Sequence, residues 1–325
     1  MMALKAHDAD RVLRVLDEAC LDIRRQGAAR ALARLIPALD EAYDSAVAAS
    51  QLEGFKRDCR AHPLWELLQE DPYTNRAFTK PRGYPGDAVT LDYVYSRRAP
   101  DSTSSIGAEL FAATTGSAIG DSTRLRRDLI ASRIESLVKT SVQVTVASFA
   151  CGHLRETQGV GAVERGVEVV AVDQDGRSLD VVRREQIGPR LRALEASITD
   201  LLRGRLDLPP CDFIYCSGLY DYLSDRLAAR LTERLLGRLK VGGSLMIANF
   251  ASGTYGRGYL SGIMDWDLVY RSEAALVAAF GAWRAPVHTR RDPQGNVIFA
   301  ETWRLPGAVQ QGPGKAGGLP AEEGT

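Results

Sequence analysis

The stretch VQVTVASFACGHLRE, Val142 to Glu156, decides the fold. Val142, Val144 and Val146 form an apolar, β-branched run suited to a buried parallel strand with helices on both faces of its sheet. The run ends in a turn containing Ala150 and Gly152, where small side chains let the backbone approach a ligand and glycine takes dihedrals that other residues avoid. With a single glycine and no complete GxGxxG, the turn by itself suits the start of a packed helix equally well. The next run, VEVVAVDQDGRSLDVVRRE, supplies a second strand from Val167 to Val172 that ends in Asp173, about twenty residues beyond the turn. A carboxylate there can accept both hydroxyls of a bound ribose. The competing role, helix capping, suits Asp175 or Ser178 better because they lie nearer the following helix.

Composition narrows the classes. The chain has 325 residues and is 45% hydrophobic, enough for one large core or two modest ones. Its 41 basic and 41 acidic residues cancel, so no global charge draws it to nucleic acid or to an anionic membrane. Five cysteines show no paired framework and four scattered histidines show no zinc spacing, which predicts a reducing cytoplasmic setting and no metal site. No signal-like amino terminus and no long apolar run occurs, so no membrane span is expected.

Upstream of the deciding stretch, residues 7 to about 70 carry helical apolar repeats such as Val12, Leu16 and Ile23, then Leu32, Leu35, Ile36 and Leu39. These helices suit a bundle, a cover for the sheet, or a homodimer contact. KPRGYPGDAVTLDYVY, Lys80 to Tyr95, sets Arg82, Tyr84 and Asp87 in a tight Gly-Pro-Gly turn before a helix. It reads either as a structural loop or as an active-site cover. The Ser-, Thr-, Gly- and Ala-rich segment Asp101 to Asp121 reads as a flexible connection, and Ser122 to Lys139 as a helix whose Arg126, Arg127 and Arg133 read either as positioning substrate or as facing water, the latter being the expectation for each.

Downstream, a short strand-like portion ends near Asp200, which in an open α/β sheet would meet an adenine amino group. Strand Asp212 to Cys216 leads to Ser217 and Gly218, at the end that meets ligand, and to Tyr220, Asp221 and Tyr222. LKVGGSLMIANFA adds a fifth strand, Ser244 to Phe250, and VIFAETWRL a last one after a turn at Asp292 to Asn296. Between them Tyr259, Trp266, Tyr270 and Arg271 suit either an acceptor pocket or an aromatic core. Residues after Pro306 are rich in Gly, Ala, Pro and Glu and read as a disordered tail.

ASFACGHLRE, VVAVDQD, CDFIYCSGLYDYL and LKVGGSLMIANF together resemble the cofactor loop and successive strands of class I S-adenosylmethionine-dependent methyltransferases, over roughly residues 120 to 305. The resemblance implies an α/β, Rossmann-like sheet with an amino-terminal helical region. Its divisions are residues 1–119 as helical region and cover, 120–306 as the S-adenosylmethionine-binding domain, and 307–325 as tail. Ala150 and Gly152 match the close-approach loop, Asp173 the ribose carboxylate and Asp200 an adenine contact. Ser148 stands where an acidic residue is frequent, and Ser217, Gly218 and Tyr220 complete the expected cofactor set.

KPRGYPGDAVTLDYVY together with MDWDLVYRS resembles a narrower bacterial family that makes the extracellular factor 3-hydroxypalmitic acid methyl ester. That likeness implies carboxyl methylation of a hydroxy fatty acid or related small molecule. Arg82 or Arg271 would pair with the acceptor carboxylate, and Tyr84, Tyr220, Tyr259 or Tyr270 would shape the transfer region. N-methylation of a small amine and noncatalytic nucleoside binding are the alternatives.

Overall fold

The computed structural model describes residues 6–158, 166–185 and 190–306. Among the described residues, seven strands form one sheet: β1 (Val144–Phe149), β2 (Val167–Asp173), β3 (Leu191–Glu195), β4 (Cys211–Cys216), β5 (Leu239–Phe250), β6 (His288–Arg291) and β7 (Val297–Trp303). Their order is β3-β2-β1-β4-β5-β7-β6. The first five run parallel, while β7 lies antiparallel to both β5 and β6. After β3 the chain crosses back over β1 to lay down β4. A crevice therefore opens at the carboxyl ends of β1 and β4, where the direction of winding reverses.

Strand composition explains the central position of β1. Val144 and Val146 pack on one face of the sheet, Ala147 and Phe149 on the other, and all four are buried. Val142 does not join the strand; it is 89% exposed, because the sheet begins two residues later than its β-branched character suggests.

Among the described residues, eight helices precede the sheet: α1 (Ala6–Gln26), α2 (Ala28–Ala48), α3 (Leu52–Ala61), α4 (Leu64–Leu68), α5 (Pro72–Thr79), α6 (Ala88–Ser96), α7 (Ser105–Thr115) and α8 (Ala118–Thr140). Val12, Leu16, Ala19 and Ile23 of α1 repeat at helical spacing and pack with Leu32, Leu35 and Leu39 of α2. These residues are continuous with Val144, Val169, Phe213 and Met246, so the amino-terminal helices and one sheet face share a core. The other face is closed by α11 (Asp225–Leu236), through Ala228, Leu231 and Leu235.

The small-residue segment Asp101 to Asp121 is ordered, contrary to its reading as a flexible connection. Ser104 caps α7 by accepting from Gly107 N, Leu110 and Phe111 are buried, and α8 begins at Ala118. Small residues here serve close helix packing. A Cβ on Gly107 would stand 2.3 Å from the Glu70 carbonyl oxygen. Among the described residues, no helix is long and apolar enough to cross a membrane. The tail expected after Pro306 lies outside the described residues.

Candidate active site

A cavity of about 380 Å³ opens at the carboxyl ends of β1, β2 and β4. Its floor comes from three consecutive strand exits: Phe149, Ala150 and Gly152; Val172, Asp173 and Gln174; Ser217, Gly218 and Leu219. The first turn is bent by left-handed backbone at Ala150 and Gly152, with φ of 52° and 53°. Gly152 has a second constraint, since a Cβ there would approach Ala88 Cβ to 3.2 Å. The helix following the cover therefore rests on this turn.

Asp173 joins the exits. Its Oδ2 accepts from Gly152 N at 2.8 Å and its Oδ1 from Asp175 N at 2.9 Å. Burial raises its carboxyl above the usual range, partly offset by the Asp175 and Gly152 N–H groups. These main-chain bonds hold the carboxylate at the cavity wall.

Tyr84, Gly86, Ala88 and Leu91, all from the Lys80–Tyr95 segment, form the opposite wall. Local structure holds this segment in place. Asp87 caps α6 by accepting from Thr90 N at 2.9 Å, and Arg76 grips the same carboxylate through Nε at 3.0 Å and Nη2 at 2.7 Å. Arg82 reaches Asp175 Oδ2 at 2.7 Å and Ser178 Oγ at 2.8 Å. Lys80 pairs with Asp265, which is held down at about 2, against the effect of burial, by hydrogen bonds from Lys80 and Arg60. The cover is thus tied to the β2 exit at one point and, at another, to the loop after α12 (Arg257–Gly262).

A second, smaller cavity of about 40 Å³ adjoins the first. Gly86, Leu91, Gly218 and Tyr222 line both and stand at the boundary between them. Tyr222 Oη accepts from Trp266 Nε1 at 2.9 Å, and a Cβ on Gly86 would come within 2.5 Å of Trp266 Cζ2 and of the Tyr222 hydroxyl oxygen. Any side chain at position 86 would therefore displace residues of that boundary.

The smaller cavity holds one cation and one carboxylate. Arg126, 3% exposed, projects from α8, and its Nη1 has no hydrogen-bond partner among the described residues. Asp221 Oδ2 lies 3.9 Å away, beyond hydrogen-bond reach, while Asp221 Oδ1 accepts from Phe250 N at 2.7 Å. Burial pushes the Asp221 carboxyl up to about 6 despite the opposing charge of Arg126. The Arg126 guanidinium also lies over the Phe250 ring, 5.5 Å from its centroid, and Gly218 leaves its other side open.

The residues expected from sequence divide sharply. Ala150, Gly152, Asp173, Ser217, Gly218 and Tyr84 line the large cavity. Asp200 does not, because it lies on α10 (Ile198–Leu202), five residues beyond β3, in a reciprocal capping box with Ser197. Ser197 and Ile198 take the place at the wall. Ser148 is buried within β1, and Tyr220 turns its hydroxyl to Thr232 at 2.8 Å; neither lines the cavity.

The expected acceptor cations are both committed elsewhere. Arg82 pairs with Asp175, and Arg271 donates to the carbonyl oxygens of Tyr220 and Leu223, to Asn249 Oδ1 and to Asp225. Tyr259 bonds Thr74, and the buried Tyr270 hydroxyl lines neither cavity. Arg126, expected to face water, is the cation inside. A signal was present, since Arg126 falls in step with Ile119, Thr123, Ile130 and Ile134 on the apolar stripe of α8. A charge in phase with buried isoleucines marks a charge pointing inward.

The strand order, the parallel core with its antiparallel β7 and the preceding helices define an α/β, Rossmann-like fold of the class I methyltransferase type. No protein-family model and no curated protein sequence matches the chain. Among solved structures, a possible exported protein from Bordetella parapertussis aligns with a TM-score of 0.55 at 15% identity, over 94% of this chain and 100% of that one. A candidate methyltransferase from Thermobifida fusca aligns at 0.49 and 16% identity, over 67% and 94%. The magnesium protoporphyrin IX methyltransferase of Synechocystis with bound S-adenosylhomocysteine aligns at 0.45 and 13%, over 66% and 98%.

Proposed function

We propose that this chain is an S-adenosylmethionine-dependent methyltransferase that methylates the carboxylate of a small-molecule acceptor, a hydroxy fatty acid or a related acid. The observation that carries this reading is the pair of adjoining cavities, with a strand-end carboxylate in the larger and a buried, incompletely bonded arginine in the smaller. The larger cavity has the volume of a cofactor site, for which about 300–1,000 Å³ is usual. Its residues fit the cofactor. Asp173 holds its carboxylate at the wall for two ribose hydroxyls, the Ala150–Gly152 backbone allows close approach, and Ile198 with Leu223 offers apolar surface to a flat base.

When bound, S-adenosylmethionine supplies a methyl group on a positively charged sulfur. A carboxylate brings its own lone pair, so the protein has to orient the acceptor and has no need of a strong base. Arg126 would hold one acceptor oxygen through Nη1 and leave the other directed at the boundary formed by Gly86, Gly218 and Tyr222. Tyr222, held by Trp266, would fix the angle of approach. Asp221 keeps the cavity near neutral before the acceptor arrives and repels an acid that enters in the wrong register. Tyr84, from the cover, would exclude water from the cofactor side.

Asp221 is also the observation that favours the second reading, N-methylation, since a buried carboxylate suits an amine. The test is transfer of labelled methyl from S-adenosylmethionine to a hydroxy acid, its amide and a matched amine. Turnover of the acid alone is expected. Equal use of acid and amide would reject carboxyl transfer, and turnover of the amine alone would move the assignment to nitrogen. Cofactor binding without turnover of any of them would leave a nucleoside-binding protein.

A further inference from the structure

The cavity that holds Arg126 has a neighbour on its far side. Tyr73, Ile119 and Leu260 line it and also line a third cavity of about 20 Å³, which lies between the amino-terminal helices and α12. Its far wall includes Ile36 of α2 and Met264, beyond the end of α12. A Cβ built on Gly256 would stand 3.8 Å from Ile36 Cγ2 and 3.7 Å from Ile119 Cγ2, so these side chains face one small space.

The third cavity contrasts with the second in its polar groups. Tyr259 and Thr114 touch it, but the Tyr259 hydroxyl pairs with Thr74 at 3.1 Å, and Thr114 Oγ1 donates to Asp71 at 2.8 Å. Ser117 Oγ likewise donates to the Thr114 carbonyl oxygen at 2.6 Å. These three hydroxyls are already bonded within the protein; Tyr73 and Tyr255 add phenol rings, and Ile36, Ile119, Leu260 and Met264 make the rest a wall that favours carbon. The wall is also braced. Asp40 of α2 accepts from Gly256 N and Gly258 N, both at 2.8 Å, and so locks α2 to the start of α12.

We infer that the third cavity receives the end of the acceptor's apolar arm, and that Ile36 and Met264 set the length of arm that the enzyme accepts. This rests on the carboxylate reading above. The head group lies at Arg126, the arm passes between Tyr73, Ile119 and Leu260, and its end meets α2. The amino-terminal helices then act in substrate selection as well as in the shared core. An arm longer than the cavity has to displace Met264, whose unbranched side chain yields more readily than Ile36.

The test is the dependence of methyl transfer on chain length across a series of straight-chain carboxylic acids, for the wild type and for Ile36→Ala, Ile36→Phe and Met264→Ala. Ile36→Ala and Met264→Ala are expected to move the preferred length upward, and Ile36→Phe downward. The ratio of kcat/KM between neighbouring lengths should change by about tenfold, the usual discrimination of an apolar pocket per methylene. S-adenosylmethionine affinity, measured by calorimetry, should stay within about twofold and serves as the control for folding. If Ile36→Phe does not fold, the two enlarging variants still have to shift together. Wild-type turnover of acids with an unchanged preferred length in both enlarging variants would overturn the arm subsite and leave the carboxylate reading standing. Absence of turnover with every acid would remove both.

Discussion

The two adjoining cavities are built by opposite means. The larger takes its floor from the exits of β1, β2 and β4, each contributing a few consecutive residues, and much of its shape is backbone: one turn with two left-handed residues and a carboxylate bonded to main-chain N–H groups. The smaller is assembled from single side chains far apart in sequence, Tyr73, Thr123, Arg126, Asp221, Phe250 and Trp266 among them. A site made of backbone tolerates change in its neighbours and suits a constant ligand. A site made of dispersed side chains can be recut one residue at a time, which suits an acceptor that differs among proteins of one fold.

The largest effect that separates the two cavities should come from Arg126. Arg126→Ala is expected to lower kcat/KM for the acid about 100-fold, since it removes a buried charge-assisted contact, while S-adenosylmethionine affinity changes little. Arg126→Lys should recover part of the loss. Arg271→Ala should behave differently, lowering the melting temperature through a stability loss of about 3 kcal/mol, because it strands the Tyr220 and Leu223 carbonyl oxygens and Asn249. Acceptor KM raised by Arg271→Ala at unchanged stability would reverse the assignment of the two arginines.

Asp173→Ala tests the other cavity. Loss of a charged acceptor shared by two backbone donors and the expected ribose should cost about 10- to 100-fold in cofactor affinity by calorimetry. Acceptor KM at saturating cofactor should be nearly constant. An equal loss on both sides would mean that the cavities are coupled across their boundary.

A smaller effect concerns acid. Asp221 titrates at about 6 in the folded protein, against an ordinary 3.8 in the unfolded chain. As pH falls through about 6 toward about 4, the folded protein binds a proton that the unfolded chain has not yet taken up. This group therefore adds stability on acidification and opposes folding above about 6. Asp71, also raised to about 6 by burial, contributes with the same sign. Asp221→Asn should remove part of this slope in thermal melts across that interval and leave the share due to Asp71. The least change is expected from Asp200→Ala, whose side chain serves Ser197; cofactor affinity within about twofold of wild type would match its place outside the cavity.

Much of the larger cavity could be read from consecutive residues. VTVASFACG and VVAVD join strand, turn and carboxylate within short runs, and chain connectivity alone brings Ala150, Gly152 and Asp173 to the sheet edge. Asp200 misled because its position was counted from a strand taken to run longer than β3, which stops at Glu195, and the Ser197 capping box carries the chain off in a new direction. The segment Asp101 to Asp121 misled for a related reason. Composition describes small residues as flexible, whereas packing uses them where helices come close.

The sequence by itself therefore determined the α/β class, the parallel strands, the helical amino terminus and the carboxylate at the end of β2, because each depends on periodicity or on neighbours along the chain. Only the tertiary structure decided which arginine enters the smaller cavity. Arg82, Arg126 and Arg271 are chemically alike, and their roles follow from what lies within reach: Asp175 for the first, carbonyl oxygens for the last, and for Arg126 an Asp221 carboxylate held 3.9 Å away. Phe250 stands between the two, with Arg126 over its ring and its N–H on Asp221, so three segments far apart in sequence fix that distance.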